Sequence, residues 1–154
     1  MTRQEIAQMA YNFRRAIESA QMAGDLDEES PFNRFPHGCC DDVSDLFGLL
    51  LIAHGESIFR VCGQYRYDDW EHRYSHAWLE LENGIVIDLT GDQYKDNPIL
   101  LNYDIPCYVG KRNALHNLFV QSDFARNPFF GIEEYHEVAQ RRLHKVSKII
   151  MQYM

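Results

Sequence analysis

Residues 76–90 read His-Ala-Trp-Leu-Glu-Leu-Glu-Asn-Gly-Ile-Val-Ile-Asp-Leu-Thr. Two strand-like runs flank a short polar segment containing Asn83-Gly84, which predicts a β-hairpin. The turn decides the register. A two-residue Asn83-Gly84 turn would pair Leu79 with Asp88 and send His76 and Asp88 to opposite faces, because strand side chains alternate. A three-residue loop, Glu82-Asn83-Gly84 with Gly84 left-handed, pairs Leu81 with Ile85 instead. Trp78 then faces Asp88, and Asp88 becomes a diagonal neighbour of His76. The same register gathers Ala77, Leu79, Leu81, Ile85, Ile87 and Leu89 on one apolar face. It satisfies the burial pattern and brings the imidazole and the carboxylate together, so the longer loop is expected.

Upstream of the hairpin the pattern is helical. Thr2 and Glu5 have the spacing of a capping box. Ile6, Met9, Phe13, Ile17 and Ala20 follow at intervals of three or four residues, up to Gly24. Residues 30–38, SPFNRFPHG, hold two prolines and a glycine and predict ordered turns. A second helix starts near Cys39 or Cys40, with Val43, Leu46, Phe47, Leu50 and Leu51 as a broad buried face and Gly55 as its stop. Ile58–Val61 reads as a strand. Residues 64–75 read as a strand with a loop, and Ile99–Leu101 and Tyr108-Val109 as further short strands. Ile132 to Tyr153 has helical spacing through Tyr135, Val138, Leu143, Val146, Ile149 and Ile150. No internal repeat or linker is evident. The expected fold is one α+β domain spanning residues 1–154.

The chemistry concentrates at three places. Cys39 and Cys40 stand at a helix N-terminus, where free backbone N–H groups and the helix dipole favour thiolate over thiol and can hold an oxyanion. Gly38 before them allows close approach of a substrate. A cysteine nucleophile needs an imidazole to take its proton, and His76 is the candidate. The imidazole needs an orienting group. Asp88 interrupts an apolar strand, where a carboxylate is costly unless paired. Helical angles do not choose between the thiols, since both lie roughly 50° from the Val43 direction.

The segments Phe35-Pro36-His37-Gly38-Cys39-Cys40-Asp41-Asp42-Val43-Ser44, Ser75-His76-Ala77-Trp78-Leu79-Glu80 and Val86-Ile87-Asp88-Leu89-Thr90-Gly91-Asp92-Gln93 together resemble the papain-fold, transglutaminase-like group of cysteine hydrolases. That group includes bacterial papain-fold toxin domains and leader-peptide-cleaving cysteine proteases. The resemblance spans residues 35–93 and implies a papain-like, transglutaminase-like α+β fold, with the buried helix carrying the cysteine packed on an antiparallel sheet carrying His76 and Asp88. It implies a Cys-His-Asp triad of Cys40, His76 and Asp88, because F-P-x-G-x-C in such proteins places the nucleophile second after the glycine. It implies attack on a protein or peptide amide through a thioester, giving a peptidase or a deamidase. With an amine acceptor the same triad gives a transglutaminase or acyltransferase. No counterpart of the oxyanion glutamine stands upstream of the thiols. The Cys40 N–H is the expected donor, and Gln93 is either a helper or structural.

Other functions fit less well. The net charge of −8 disfavours nucleic acid and anionic membrane surfaces as partners. No segment approaches the roughly 18–20 apolar residues of a membrane span, the longest run being Leu46–Ala53. The N-terminal Met-Thr-Arg-Gln-Glu shows no secretory pattern, so a cytoplasmic protein is expected, export as an effector being the alternative. The four cysteines, Cys39, Cys40, Cys62 and Cys107, have no C-x-x-C spacing and are expected as free thiols. His72 and His76 have H-x3-H spacing. On a strand such residues are roughly 13 Å apart, too far for one ion, so neither metal nor cofactor is expected. His54, His116, His136 and His144 read as surface or helix-end residues. A binding or immunity module that retains the fold is the non-enzymatic alternative. Oligomeric state is not legible.

Overall fold

The computed structural model describes residues 1–68, 73–121 and 123–154. Among these residues the chain forms four α-helices and a five-stranded sheet. The elements are α1 (Arg3–Met22), α2 (Cys40–Ala53), β1 (Ile58–Arg66), β2 (Arg73–Leu81), β3 (Val86–Asp88), β4 (Tyr108–Gly110), α3 (Ala114–Phe119), β5 (Asp123–Phe129) and α4 (Glu137–Met151). The sheet order is β4-β3-β2-β1-β5 and every neighbouring pair is antiparallel. The class is α+β.

The hairpin takes the register that its burial pattern demands. Leu79 pairs with Ile87 and Glu80 with Val86. The Leu81 N–H donates to the Ile85 carbonyl, and the Gly84 N–H donates back to the Leu81 carbonyl. Gly84 has φ +80°, a left-handed conformation that glycine adopts without steric cost. Continuing the register puts Trp78 opposite Asp88 and His76 one diagonal step away.

Alternation along the strands divides the interior in two. Leu79, Ile87 and Leu89 join α1, α2 and α4 in the larger core, with Ile6, Phe13, Ile17, Phe47, Leu143 and Ile150 fully or nearly fully buried. On the other face Val61, Trp78 and Val86 pack with Tyr94, Leu100, Tyr103, Leu115 and Phe119. Trp78 is wholly buried and its indole N–H donates to Glu80 at 3.0 Å. Glu80 is itself held by Arg112 and Arg126. His76 and Asp88 belong by alternation to this second face, the one covered by α3.

Two glycines let these layers meet. A Cβ on Gly48, in the middle of α2, would lie 2.7 Å from the Phe129 ring, so its absence brings α2 down onto the sheet. That contact offsets the roughly 0.5–1 kcal/mol that a glycine costs inside a helix. A Cβ on Gly63 would lie 2.3 Å from the Phe119 carbonyl oxygen. Gly63 pairs with His76 across β1 and β2, so the end of α3 reaches the sheet directly beside the histidine.

The α1 capping box forms in full, with Thr2 and Glu5 exchanging hydrogen bonds. Two expectations about the elements need correction. Ile99–Leu101 is not a strand: Pro98–Leu100 is a 3-10 turn capped by Asn97, and Leu101 and Asn102 have φ of 67° and 45°. The last helix starts at Glu137, so Ile132 and Tyr135 precede it, although Ile132 still fills the core. α3 and β5 are elements that the sequence reading did not assign.

Candidate active site

Cys40 is the first residue of α2 and Cys39 its N-cap, which contributes no side-chain cap. The first N–H groups of a helix have no partner within it, so this end offers backbone donors. The two thiols separate by environment. Cys39 is 1% exposed within the core, where burial above all, reinforced by the neighbouring Cys40 and Asp42, pushes its thiol far up. Cys40 is half-buried and lines a surface cleft. Only Cys40 of this pair faces a place where substrate can sit.

The α2 N-terminus is fixed from several sides. The Ser44 hydroxyl lies 3.5 Å from the Ala77 carbonyl, joining α2 to β2. Asp41 and Asp45 contact Arg60 on β1 at 2.6 and 2.9 Å. Asp42 takes a bidentate pair from Arg142 on α4 at 2.6 and 3.0 Å. These acidic side chains would otherwise oppose a thiolate at the same helix end, and their cations offset much of that field. Burial raises the Asp45 pKa to about 6 despite Arg60.

His76 is wholly enclosed, with a side-chain exposure of 0%. Its Nε2 lies 2.8 Å from Asp88 Oδ2. Cys40 and this ring line the same cleft, and Cys40 helps raise the ring's pKa; Nδ1 is the ring nitrogen turned away from Asp88. Tyr94 stands edge-on to the ring at 5.4 Å, Phe119 tilts over it at 5.5 Å, and Trp78 packs at 5.7 Å. Burial disfavours the charged ring. The Asp88 carboxylate, the bond it accepts and the neighbouring Cys40 outweigh it, so the His76 pKa rises to about 10. Burial likewise opposes ionisation of Asp88, but the two imidazoles that face it hold its pKa well below the usual carboxylate range.

One of those imidazoles is His116, which the pattern alone reads as a surface or helix-end residue. It is 0% exposed. Its Nε2 donates to the same Asp88 Oδ2 at 2.9 Å, while Asp88 Oδ1 accepts the Thr90 N–H at 3.0 Å. The signal for its element was local: Asn113 caps a short helix whose apolar Leu115 and Phe119 are four residues apart.

The segment after β3 completes the surroundings. Gln93 Nε2 donates to the Thr90 carbonyl at 3.1 Å and lies 3.3 Å from His76 Nδ1. Gln93 thus braces its own turn and also reaches Nδ1 of the His76 ring. The Tyr94 hydroxyl donates to the Ser75 carbonyl at 2.6 Å. Arg14 of α1 anchors this segment from below, donating to the Leu89 and Pro106 carbonyls at 2.7 and 2.6 Å and to both oxygens of Asp92 at 2.7 and 2.8 Å. Gly91 is needed here, since a Cβ would lie 2.5 Å from the Tyr103 ring and 3.1 Å from Asp88 Oδ2.

Cys40 and His76 line a cleft of about 360 Å³ whose walls include Gln64 and Phe124. A second hollow of about 380 Å³ adjoins it, sharing Cys62 and Ala125. Residues of β1 and β5 line both hollows. Trp78 lines neither, being buried. Among the described residues, no group of three or more His, Cys, Asp or Glu side chains is arranged to hold a metal ion. His72 lies outside the described residues. His37, His54, His136 and His144 are exposed. No described helix is long and apolar enough to cross a membrane. Compared with family models, with curated proteins and with solved structures, the chain matches none.

Proposed function

We propose that this chain is a cysteine hydrolase of the papain-like, transglutaminase-like kind, acting on an amide bond of a protein or peptide. One observation carries the proposal: a thiol at a helix N-terminus shares a cleft with a buried imidazole whose far nitrogen is held by a buried carboxylate. The helix bearing Cys40 packs on the antiparallel sheet bearing His76 and Asp88, which is the arrangement such hydrolases use.

The steps follow from the geometry. His76 Nδ1 takes the Cys40 proton, and the thiolate attacks the amide carbonyl carbon. The resulting oxyanion faces the N–H groups at the start of α2, among them that of Cys40. His76 then delivers its proton to the departing nitrogen, the C–N bond breaks, and a thioester remains. A water molecule loses a proton to Nδ1 as it attacks the thioester carbonyl; the C–S bond then breaks, the Cys40 sulfur takes that proton back, and the carboxylic acid product departs. Throughout, Asp88 fixes the Nε2–H tautomer and stabilises the imidazolium.

An electrophilic peptide-amide mimic tests this assignment. Wild type is expected to gain one probe mass, mapped by proteolysis to Cys40, and Cys40→Ala to gain none under the same conditions. Equal labelling of the two proteins would remove Cys40 from the mechanism.

A further inference from the structure

Two imidazoles share one carboxylate oxygen, and the mechanism above uses only one of them. His116 Nδ1 accepts the Asn113 backbone N–H at 3.3 Å, so the ring proton is on Nε2 and is donated to Asp88. The ring cannot turn, because Trp78 stands edge-on at 4.9 Å and Tyr108 and Tyr103 pack at 5.7 and 6.4 Å. Asp88 therefore receives three donors: His76 and His116 on Oδ2 and the Thr90 N–H on Oδ1. A buried carboxylate of this kind could be satisfied by a main-chain or hydroxyl donor. Here the third donor is a tautomer-fixed imidazole from a separate element, 28 residues along the chain.

We propose that His116 is a positioning residue of the active site, whose fixed Nε2–H shares Oδ2 of Asp88 with His76 and so sets both the direction and the strength of the carboxylate's hold on the catalytic ring. The proposal rests on the cysteine-hydrolase assignment and adds a fourth side chain to it. Two donors on one oxygen divide its acceptor capacity. Without His116, Asp88 would bind the His76 imidazolium more tightly, and the ring would give up its proton less readily to the leaving nitrogen. The other titratable groups near this unit include Cys40 from α2, Tyr94 from the turn after β3, Tyr103 and Tyr108 beside His116, and Cys107 before β4.

The test is the pH dependence of Cys40 alkylation by iodoacetamide in wild type, His116→Asn, His116→Phe and His116→Gln. Glutamine places an amide N–H near the position of Nε2 and retains the donor. Asparagine is too short to reach Asp88, and phenylalanine keeps the aromatic packing without a donor. An activated cysteine–histidine pair alkylates in two steps with pH, the upper one marking loss of the imidazolium proton. In His116→Asn and His116→Phe that upper step is expected to move up by about one pH unit. In His116→Gln it is expected to stay within a few tenths of wild type. A purely structural histidine would lower the melting temperature of the variants and leave the step in place, and that result would overturn the proposal. A wild type with one ordinary thiol titration would instead overturn the hydrolase assignment, and the role of His116 with it.

Discussion

Asp88→Asn is expected to slow alkylation of Cys40 at pH 6 by about a hundredfold. An ordinary thiol with a pKa near 8.5 is only about 0.3% thiolate at that pH, so most of the reactivity of an activated cysteine disappears with its partner. The loss follows from hydrogen-bond polarity. Asp88 accepts from two ring nitrogens through one oxygen and from the Thr90 N–H through the other. An asparagine can satisfy only one side. If its NH2 group faces the rings, both must carry their proton on Nδ1, and His76 can no longer take the thiol proton. If it faces Thr90, two donors collide in a buried site. Stability changes with it. The charged His76 ring contributes stability that is present below its unfolded pKa of about 6.5 and is lost as pH rises through about 10. The depressed Asp88 contributes stability present above about pH 4 and lost as acid protonates it in the fold. In Asp88→Asn both slopes should flatten in urea midpoints measured across that range.

The second large effect lies outside the reacting atoms. Arg14→Met is expected to destabilise the fold by about 3–5 kcal/mol, the usual result of removing one partner from a buried ion pair. Arg14 and Asp92 are 6% and 8% exposed. The guanidinium carries the Leu89 and Pro106 carbonyls as well as the carboxylate, so methionine leaves several buried acceptors unpaired. These contacts fix the turn holding Gln93 and Tyr94, so Cys40 reactivity in the folded fraction should fall too. Arg14→Lys keeps the charge without the fork and should fall between. Urea unfolding of the three proteins checks the order; an Arg14→Met midpoint equal to wild type would refute the anchoring role.

The hairpin was legible because its two constraints agree. Alternation from Ala77 to Leu89 and a glycine free to take positive φ admit one register, and that register assembles His76 with Asp88. The choice between Cys39 and Cys40 was not legible in helix geometry, because both lie equally far from the buried direction of α2; only the F-P-x-G-x-C resemblance pointed to Cys40. The choice depends on how the turns over residues 30–38 deliver the chain, which puts the N-cap side chain inside. His116 was missed because α3 has six residues, too few for periodicity to show, and its partner comes from a distant strand. β5 was missed because its outward positions dominate: Asp123 to Ala125 are all exposed and Pro128 stands within it, which suits an edge strand but hides alternation. Ile99–Leu101 misled for the opposite reason, since an apolar run after Pro98 can fill a core from a turn as well as from a strand.

The central claim is that Cys40 is an activated nucleophile. The most direct measurement is the rate of iodoacetamide modification at each cysteine of the native protein at pH 6, resolved by peptide mapping. Cys40 should react far faster than a free model thiol. Cys62 and Cys107, which burial pushes up (Cys107 to about 11), should lag behind it, and Cys39 should react only on unfolding. A Cys40 rate no greater than that of the model thiol would contradict the account.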